Sequence, residues 1–316
     1  MIIHILLLIL GFVILIKGAD WLVDGSVSLA KHYKVSELVI GLTIVAFGTS
    51  APELVVNVIS SIKGYNDITL GNIFGSNIFN LMLILGISGL VYPLTVQIKT
   101  IWNEIPFSLF ASIVILVLAN YSFNSTGQLS LNRIDGIILL FFFILFMVYI
   151  FSNLRSKNEV LEAGFKVIKP RSSILIIVAG LLALVGGSKL VVDKAVILAQ
   201  YLGASEKLIG ITIVSAGTSL PELMTSVVAA FKKNSDIAIG NIIGSNIFNI
   251  FLILGISAII KPLAYNRSFN FEIFLLLIST ILLFLFMFSG KRYKLDRWES
   301  GILFAGYIVY IVYLLA

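Results

Sequence analysis

Hydrophobic runs of about twenty residues, separated by short polar stretches, fill this chain from end to end. They fall near 2–30, 37–62, 68–91, 103–119, 132–153, 172–200, 206–231, 237–259, 269–289 and 298–315. A helix rises about 1.5 Å per residue, so each run is long enough to cross a hydrocarbon layer about 30 Å thick. The pattern predicts an all-α membrane protein with ten transmembrane helices. Composition agrees: 59% of the 316 residues are hydrophobic, 12% are charged, and the mean hydropathy is +1.07. The first run lacks a basic leader, and Lys17 and Asp20 stand where a small-residue cleavage site would be expected. It therefore reads as a retained first helix, not a signal peptide.

The connections carry the next layer of information. The longest, 152–172, holds Arg155, Lys157, Lys166, Lys169, Pro170 and Arg171. It divides the chain into a first five-helix repeat (1–153), a linker loop (154–171) and a second five-helix repeat (172–316). Basic residues alternate sharply between sides. The connections after spans one, three, five, seven and nine carry fourteen Lys and Arg, among them Lys31, Lys34, Lys99, Lys232 and Lys233, whereas the opposite side carries five: Lys63, Arg133, Lys207, Lys261 and Arg267. Basic flanks resist translocation, so the central loop is expected in the cytoplasm and both termini outside it. Five is odd, so the second repeat would enter the membrane upside down. The net charge of +6 is spent in these loops, which argues against a nucleic-acid partner. With no cysteine, neither disulfides nor thiolate metal sites exist.

An internal duplication sharpens the picture. Gly48-Thr49-Ser50-Ala51-Pro52-Glu53 returns as Gly217-Thr218-Ser219-Leu220-Pro221-Glu222, 169 positions later. The same offset relates Gly71-Asn72 to Gly240-Asn241, Gly75-Ser76-Asn77 to Gly244-Ser245-Asn246, and Asn80 to Asn249. Repeats of this length signal a duplicated fold, and inverted repeats with interrupted helices place a transport site where the halves meet. Gly48 and Pro52 weaken the second span, and Gly217 and Pro221 the seventh, so spans two and seven are expected to break. Unwinding over 46–49 and 215–218 would free carbonyl oxygens, a state tolerated at membrane depth only beside a wet cavity or an ion.

Charged side chains within apolar spans are costly and mark function. Glu53 and Glu222, duplicated beside the predicted breaks, are the leading candidates. Ser50, Ser219, Ser76 and Ser245 add hydroxyls. Asn72, Ser76 and Asn80 recur at i, i+4 spacing, which places them along one stripe of the third span, and Asn241, Ser245 and Asn249 repeat this in the eighth. All are hard oxygen donors suited to Ca²⁺ or Na⁺; transition metals would call for His or Cys. Asp67 and Asp236, and the pairs Ser36-Glu37 and Ser205-Glu206, stand at span starts and read as helix caps. Asp24 and Asp193, near Lys17 and Lys189, read as structural ion pairs at the membrane ends.

The paired motifs G-T-S-x-P-E and G-N-x-x-G-S-N-x-x-N resemble the alpha repeats of the sodium/calcium exchangers, within the calcium/cation antiporter superfamily. The resemblance spans nearly the whole chain and is closest to prokaryotic members without a large regulatory loop. It implies that Glu53 and Glu222 are central carboxylates shared by Ca²⁺ and Na⁺, flanked by Asn80 and Asn249. It further implies that Thr49, Thr218, Ser50, Ser219, Ser76, Ser245, Ala46 and Ser215 supply hydroxyl or carbonyl ligands to up to three sodium sites and one calcium site. Asn249 replaces an aspartate found in some relatives. An acidic residue there accompanies potassium dependence in one branch, and the proton-coupled branch carries a different acidic motif.

The expectation is a multi-pass, cell-membrane antiporter exchanging Na⁺ for Ca²⁺ by alternating access, with spans one and six as the moving pair. No cofactor is implied, and no partner beyond the bilayer and the transported ions. Two alternatives remain within transport, a proton-coupled or a potassium-dependent exchanger, and one in another class, a passive cation channel. Channels usually assemble pores from rings of subunits, unlike two opposed halves in one chain. No nucleophile with a base, histidine cluster or phosphate loop suggests an enzyme.

Overall fold

The structure, a computed structural model, describes residues 1–121, 129–153, 168–201 and 215–315. The basic residues Arg155, Lys157 and Lys166, the capping pair Ser205-Glu206, and Lys207 lie outside the described residues. So does the first part of the expected span 206–231.

The described chain is almost entirely helical. In order, the helices are α1 (Ile2–Tyr33), α2 (Glu37–Thr49), α3 (Ala51–Lys63), α4 (Asn66–Val91), α5 (Thr100–Asn120), α6 (Arg133–Ser152), α7 (Pro170–Tyr201), α8 (Ser215–Thr218), α9 (Leu220–Phe231), α10 (Ser235–Ile260), α11 (Arg267–Phe286) and α12 (Arg297–Leu315). Among the described residues, seven helices are long and apolar enough to cross a membrane. The number is eight if α2 and α3, which meet at a 47° bend, form one span.

Helix starts follow local chemistry. Ser36 Oγ accepts from Leu38 N at 3.2 Å, the expected cap of α2. At α6, Asn132 Oδ1 accepts from Ile134 N and Asp135 N while Asp135 Oδ2 accepts from Asn132 N at 2.7 Å, a reciprocal capping box. Asp236, in the first turn of α10, accepts from Gln97 Nε2 at 2.6 Å and so also anchors the preceding connection. The expected pairing of Asp24 with Lys17 is not what forms. Lys17 lies 3.9 Å from Asp20, and Asp24 is 2.7 Å from Lys232, whose ammonium also sits 2.6 Å from Asp20. Lys232 follows α9, 208 residues along the chain from Asp24; tertiary packing supplies a nearer cation than the same helix does.

Two features order the layers. The most apolar stretches of α4 and α10 are 78% and 83% buried, against 22% for α1 and 28% for α6. The helices carrying G-N-x-x-G-S-N-x-x-N are thus the inner ones, and the others clad them. Close approach is achieved through glycines. A methyl group on Gly240 of α10 would lie 2.9 Å from the Leu38 carbonyl oxygen and 3.0 Å from Gly41 Cα of α2. On the outside, α1 and α7 pack along much of their length, and Gly18 and Gly180 face each other where they cross. Such small-residue contacts are the usual basis of helix association in lipid, where apolar burial between helices gains little.

Two short antiparallel ladders tie the first half of the chain to the second. β1 (Leu94–Thr95) pairs with β4 (Lys294–Leu295), and β2 (Ser130–Leu131) with β3 (Leu263–Ala264).

Candidate functional site

An interruption in the polypeptide helix aims the carboxylates. Pro52 has no N–H, so the carbonyl of Gly48 loses its i+4 donor, and the ring crowds that carbonyl. The expected unwinding over 46–49 is displaced as a result. Ala46–Thr49 remains a helical turn, with Ser50 N donating to Ala46 O at 3.0 Å, and the break falls at Ser50 itself, with φ −82° and ψ 6°. Thr49 Oγ1 lies 3.1 Å from Val45 O, within reach of the same turn. In the second copy, Ser215–Thr218 is likewise helical and Ser219 takes φ −91° and ψ 7°. This sparsely populated bridge conformation recurs in active sites. It tilts α3 away from α2 and sets Glu53 in the first turn of α3, as Glu222 is set in the first turn of α9.

Both glutamates are 1% exposed. Their hydrogen bonds cross between the halves of the chain. Ser219 Oγ donates to Glu53 Oε1 at 2.9 Å, and Ser50 Oγ donates to Glu222 Oε1 at 2.9 Å. Ser76 Oγ lies 3.0 Å from Ser219 Oγ and joins the same cluster. Each break serine therefore orients the carboxylate of the other copy, which brings Glu53 and Glu222 into one group. The threonines behave alike: Thr49 Oγ1 donates to Asn241 Oδ1 at 3.0 Å, and Thr218 Oγ1 to Asn72 Oδ1 at 3.3 Å. Asn241 Nδ2 in turn holds Ser226 Oγ at 2.9 Å.

The unpaired atoms are informative because of what they share. Glu53 Oε2, Glu222 Oε2, Asn80 Oδ1 and Asn249 Oδ1 are buried and have no hydrogen-bond donor among the described residues. All are oxygens able to accept. Burying such groups unpaired costs free energy, and the species that satisfies several acceptors at once is a cation. Ser245 Oγ is buried and unpaired among the described residues as well. The donor set is entirely hard oxygen, and among the described residues no cluster of three His, Cys, Asp or Glu exists. That chemistry fits Na⁺ and Ca²⁺, not a borderline transition metal.

Of the residues singled out from sequence, Glu53, Glu222, Ser50, Ser219 and Ser76 gather directly, the Thr49 and Ser245 hydroxyls face Glu222 and that of Thr218 faces Glu53, and Asn241 and Asn72 sit beside the two threonines. Asn80 and Asn249 lie on the inner helices α4 and α10, and Ala46 is fully buried against α10 at Gly244. Ser215 opens α8. Asn77 and Asn246 carried no role in the sequence reading, yet they hold the amides of Asn249 and Asn80. Their signal was present: both lie inside the duplicated motif at the common offset.

The sodium/calcium exchanger protein family model matches residues 3–152 and 172–316. The chain belongs to the sodium/calcium exchanger family. Accordingly it is an integral membrane protein and a cation antiporter, a secondary transporter and not an enzyme, and its ions are cargo. The exchanger is 36% identical over 319 residues to the putative antiporter CaxA of Alkalimonas amylolytica, covering 98% of both chains. It is 34% identical to the sodium/calcium exchanger MaX1 of Methanosarcina acetivorans, covering 99% of this chain and 98% of that one. A solved structure of the sodium-calcium exchanger NCX_Mj, soaked with 10 mM Na⁺ and zero Ca²⁺, superposes with a TM-score of 0.83 at 33% identity over 98% of each chain.

Proposed function

We propose that the exchanger is a Na⁺/Ca²⁺ antiporter working by alternating access through one site centred on Glu53 and Glu222. The observation that carries this reading is the crossed pair of serine–glutamate hydrogen bonds, which leaves one oxygen of each carboxylate free for a cation. Asn80 and Asn249 add neutral oxygens, and Ser50, Ser219, Ser76, Ser245, Thr49, Thr218 and the carbonyl of Ser215 complete the donor set for Na⁺ and Ca²⁺; the Ala46 carbonyl, expected from sequence to join them, instead accepts from Ser50 N within its helical turn.

The physics of exchange follows from charge. Two carboxylates gathered in one buried group repel each other, and the more strongly the lower the local dielectric constant. An empty, doubly ionised site is therefore disfavoured, and one Ca²⁺ or several Na⁺ neutralise it, so the protein crosses between states loaded. Around this site the chain is organised as ten spans in two inverted repeats, 1–153 and 172–316, joined by a cytoplasmic linker, with spans two and seven broken and both termini extracellular. α1 and α7, packed against each other outside the inner helices, move as a unit to cover the site from alternate sides.

The test is ⁴⁵Ca²⁺ uptake by proteoliposomes under imposed Na⁺, K⁺ or H⁺ gradients, for the wild type and Glu53→Gln. An outward Na⁺ gradient is expected to drive uptake in the wild type alone. Unchanged Na⁺-driven flux in Glu53→Gln overturns the site, and flux driven only by K⁺ or H⁺ overturns the coupling.

A further inference from the structure

Four asparagines meet where the inner helices pack. Asn80 Nδ2 donates to Asn246 Oδ1 at 3.0 Å, and Asn249 Nδ2 donates to Asn77 Oδ1 at 3.3 Å. Each bond crosses from one repeat to the other, and the four residues are at most 1% exposed. Asn246 Nδ2 also donates to Asn77 O at 3.3 Å, which ties one amide of the set to backbone. A carboxamide has its acceptor oxygen at one end and its two N–H donors at the other. Engaging Nδ2 therefore decides which way the oxygen points. In both Asn80 and Asn249 the engaged end is the nitrogen, and the oxygen is left without a donor among the described residues.

The backbone reinforces this placement. Both helices widen into π-helical turns at this level, over Phe79–Ile84 and Phe248–Ile253, and Leu85 N and Leu254 N reach back to Asn80 O and Asn249 O. π-turns of this kind commonly mark functional positions. With the main-chain carbonyl occupied, the side-chain amide is the group Asn80 or Asn249 has to offer a cation. Turned by 180°, that amide would present its positive N–H end instead.

We infer that Asn77 and Asn246 are positioning residues for ion exchange, each holding the amide of the opposite repeat so that Asn80 Oδ1 and Asn249 Oδ1 face the transported cation. This inference rests on the site proposed above. It assigns Asn77 and Asn246 no contact with the ion; they act through Asn249 and Asn80. Partners that orient metal ligands typically change affinity by roughly 10- to 100-fold when removed.

The experiment measures ⁴⁵Ca²⁺ binding by the purified protein in detergent, with half-saturating Ca²⁺ and maximal rate in proteoliposomes. Asn246→Leu, similar in size but without an acceptor, is expected to raise half-saturating Ca²⁺ by roughly 10- to 100-fold with little change in maximal rate. Asn246→Asp, which keeps an acceptor oxygen, is expected to bind no more weakly than the wild type. A merely structural role would not reproduce the pairing: Asn246→Leu is expected to add nothing in an Asn80→Leu background, yet to multiply with Asn249→Leu. The mirror variant Asn77→Leu should couple to Asn249 and not to Asn80, and it decides the matter if Asn246→Leu does not elute as a folded protein. Unchanged half-saturation in Asn246→Leu, or equal multiplication with both partners, overturns the inference. Glu53→Gln separates the two levels. If it leaves Ca²⁺ binding intact, the site itself is refuted; if it abolishes binding while the asparagine variants are silent, only the positioning role is.

Discussion

Gly180 lies at the crossing of α1 and α7, and adding one methyl group there tests the packing directly. A Cβ at position 180 would sit 2.8 Å from Gly18 O, 2.8 Å from Leu22 N and 3.1 Å from Leu22 Cα. These are backbone atoms and cannot rotate away. Since carbon contacts are most favourable near about 3.5–4.0 Å, the helices must part by roughly 0.5–1 Å, which forfeits a quarter to a half of the local dispersion energy. Overpacking of this kind costs about 1–3 kcal/mol. Against it stands a helix-propensity gain of up to about 1 kcal/mol for replacing Gly with Ala. With the full propensity gain subtracted, the net for Gly180→Ala is a loss of up to roughly 2 kcal/mol. Gly186, on the same helix, is exposed, and a Cβ added there would meet no atom within 4 Å among the described residues. There only the propensity gain remains, and Gly186→Ala should be neutral or stabilising. The assay is thermal unfolding in detergent followed by size-exclusion elution, with the two variants and the wild type run side by side. The order expected is Gly186→Ala at or above wild type and Gly180→Ala below both. Gly180→Ala as heat-stable as Gly186→Ala would refute the close packing of α1 on α7.

Two more predictions concern the site and the topology. Ser50→Ala and Ser219→Ala each remove a hydrogen bond to a carboxylate of the other repeat; bonds to charged groups contribute about 1.5–3 kcal/mol, so each variant should bind ⁴⁵Ca²⁺ roughly tenfold or more weakly, and unaltered binding would discount the crossed geometry. The chain has no cysteine, so single cysteines placed at Lys99 and Lys261 can be read without background: in intact cells a membrane-impermeant maleimide should label position 261 and spare position 99, and the reverse pattern would invert the proposed orientation.

Much of this architecture is legible along the chain because its causes are local. Apolar run length reflects hydrocarbon thickness, Ser36 sits at the helix start it caps, and the glutamates stand out because a carboxylate within an apolar run requires a partner. The repeat at a constant offset marks Glu53 and Glu222 as equivalent without any coordinates. Gly48 and Pro52 mark the interruption near Ser50 from sequence, but the Ala46–Ser50 hydrogen bond keeps the preceding turn helical.

Local chemistry along the chain thus accounts for its helical, membrane-spanning character, its duplication and the side chains that are chemically out of place in lipid. Tertiary structure alone decided who meets whom. Ser50 stands three residues before Glu53, yet it serves Glu222, 172 positions away, and Asp24 finds Lys232 in place of the lysine on its own helix. Asn77 and Asn246 acquired a role only when α4 and α10 came together. The reason is physical: propensity, periodicity and capping act over one or two turns of a helix, whereas contacts between residues far apart in the chain are set by how glycine-lined faces let helices approach. The same side chain in the same local sequence orients a carboxylate or merely fills space, according to what the opposing helix brings within about 3 Å.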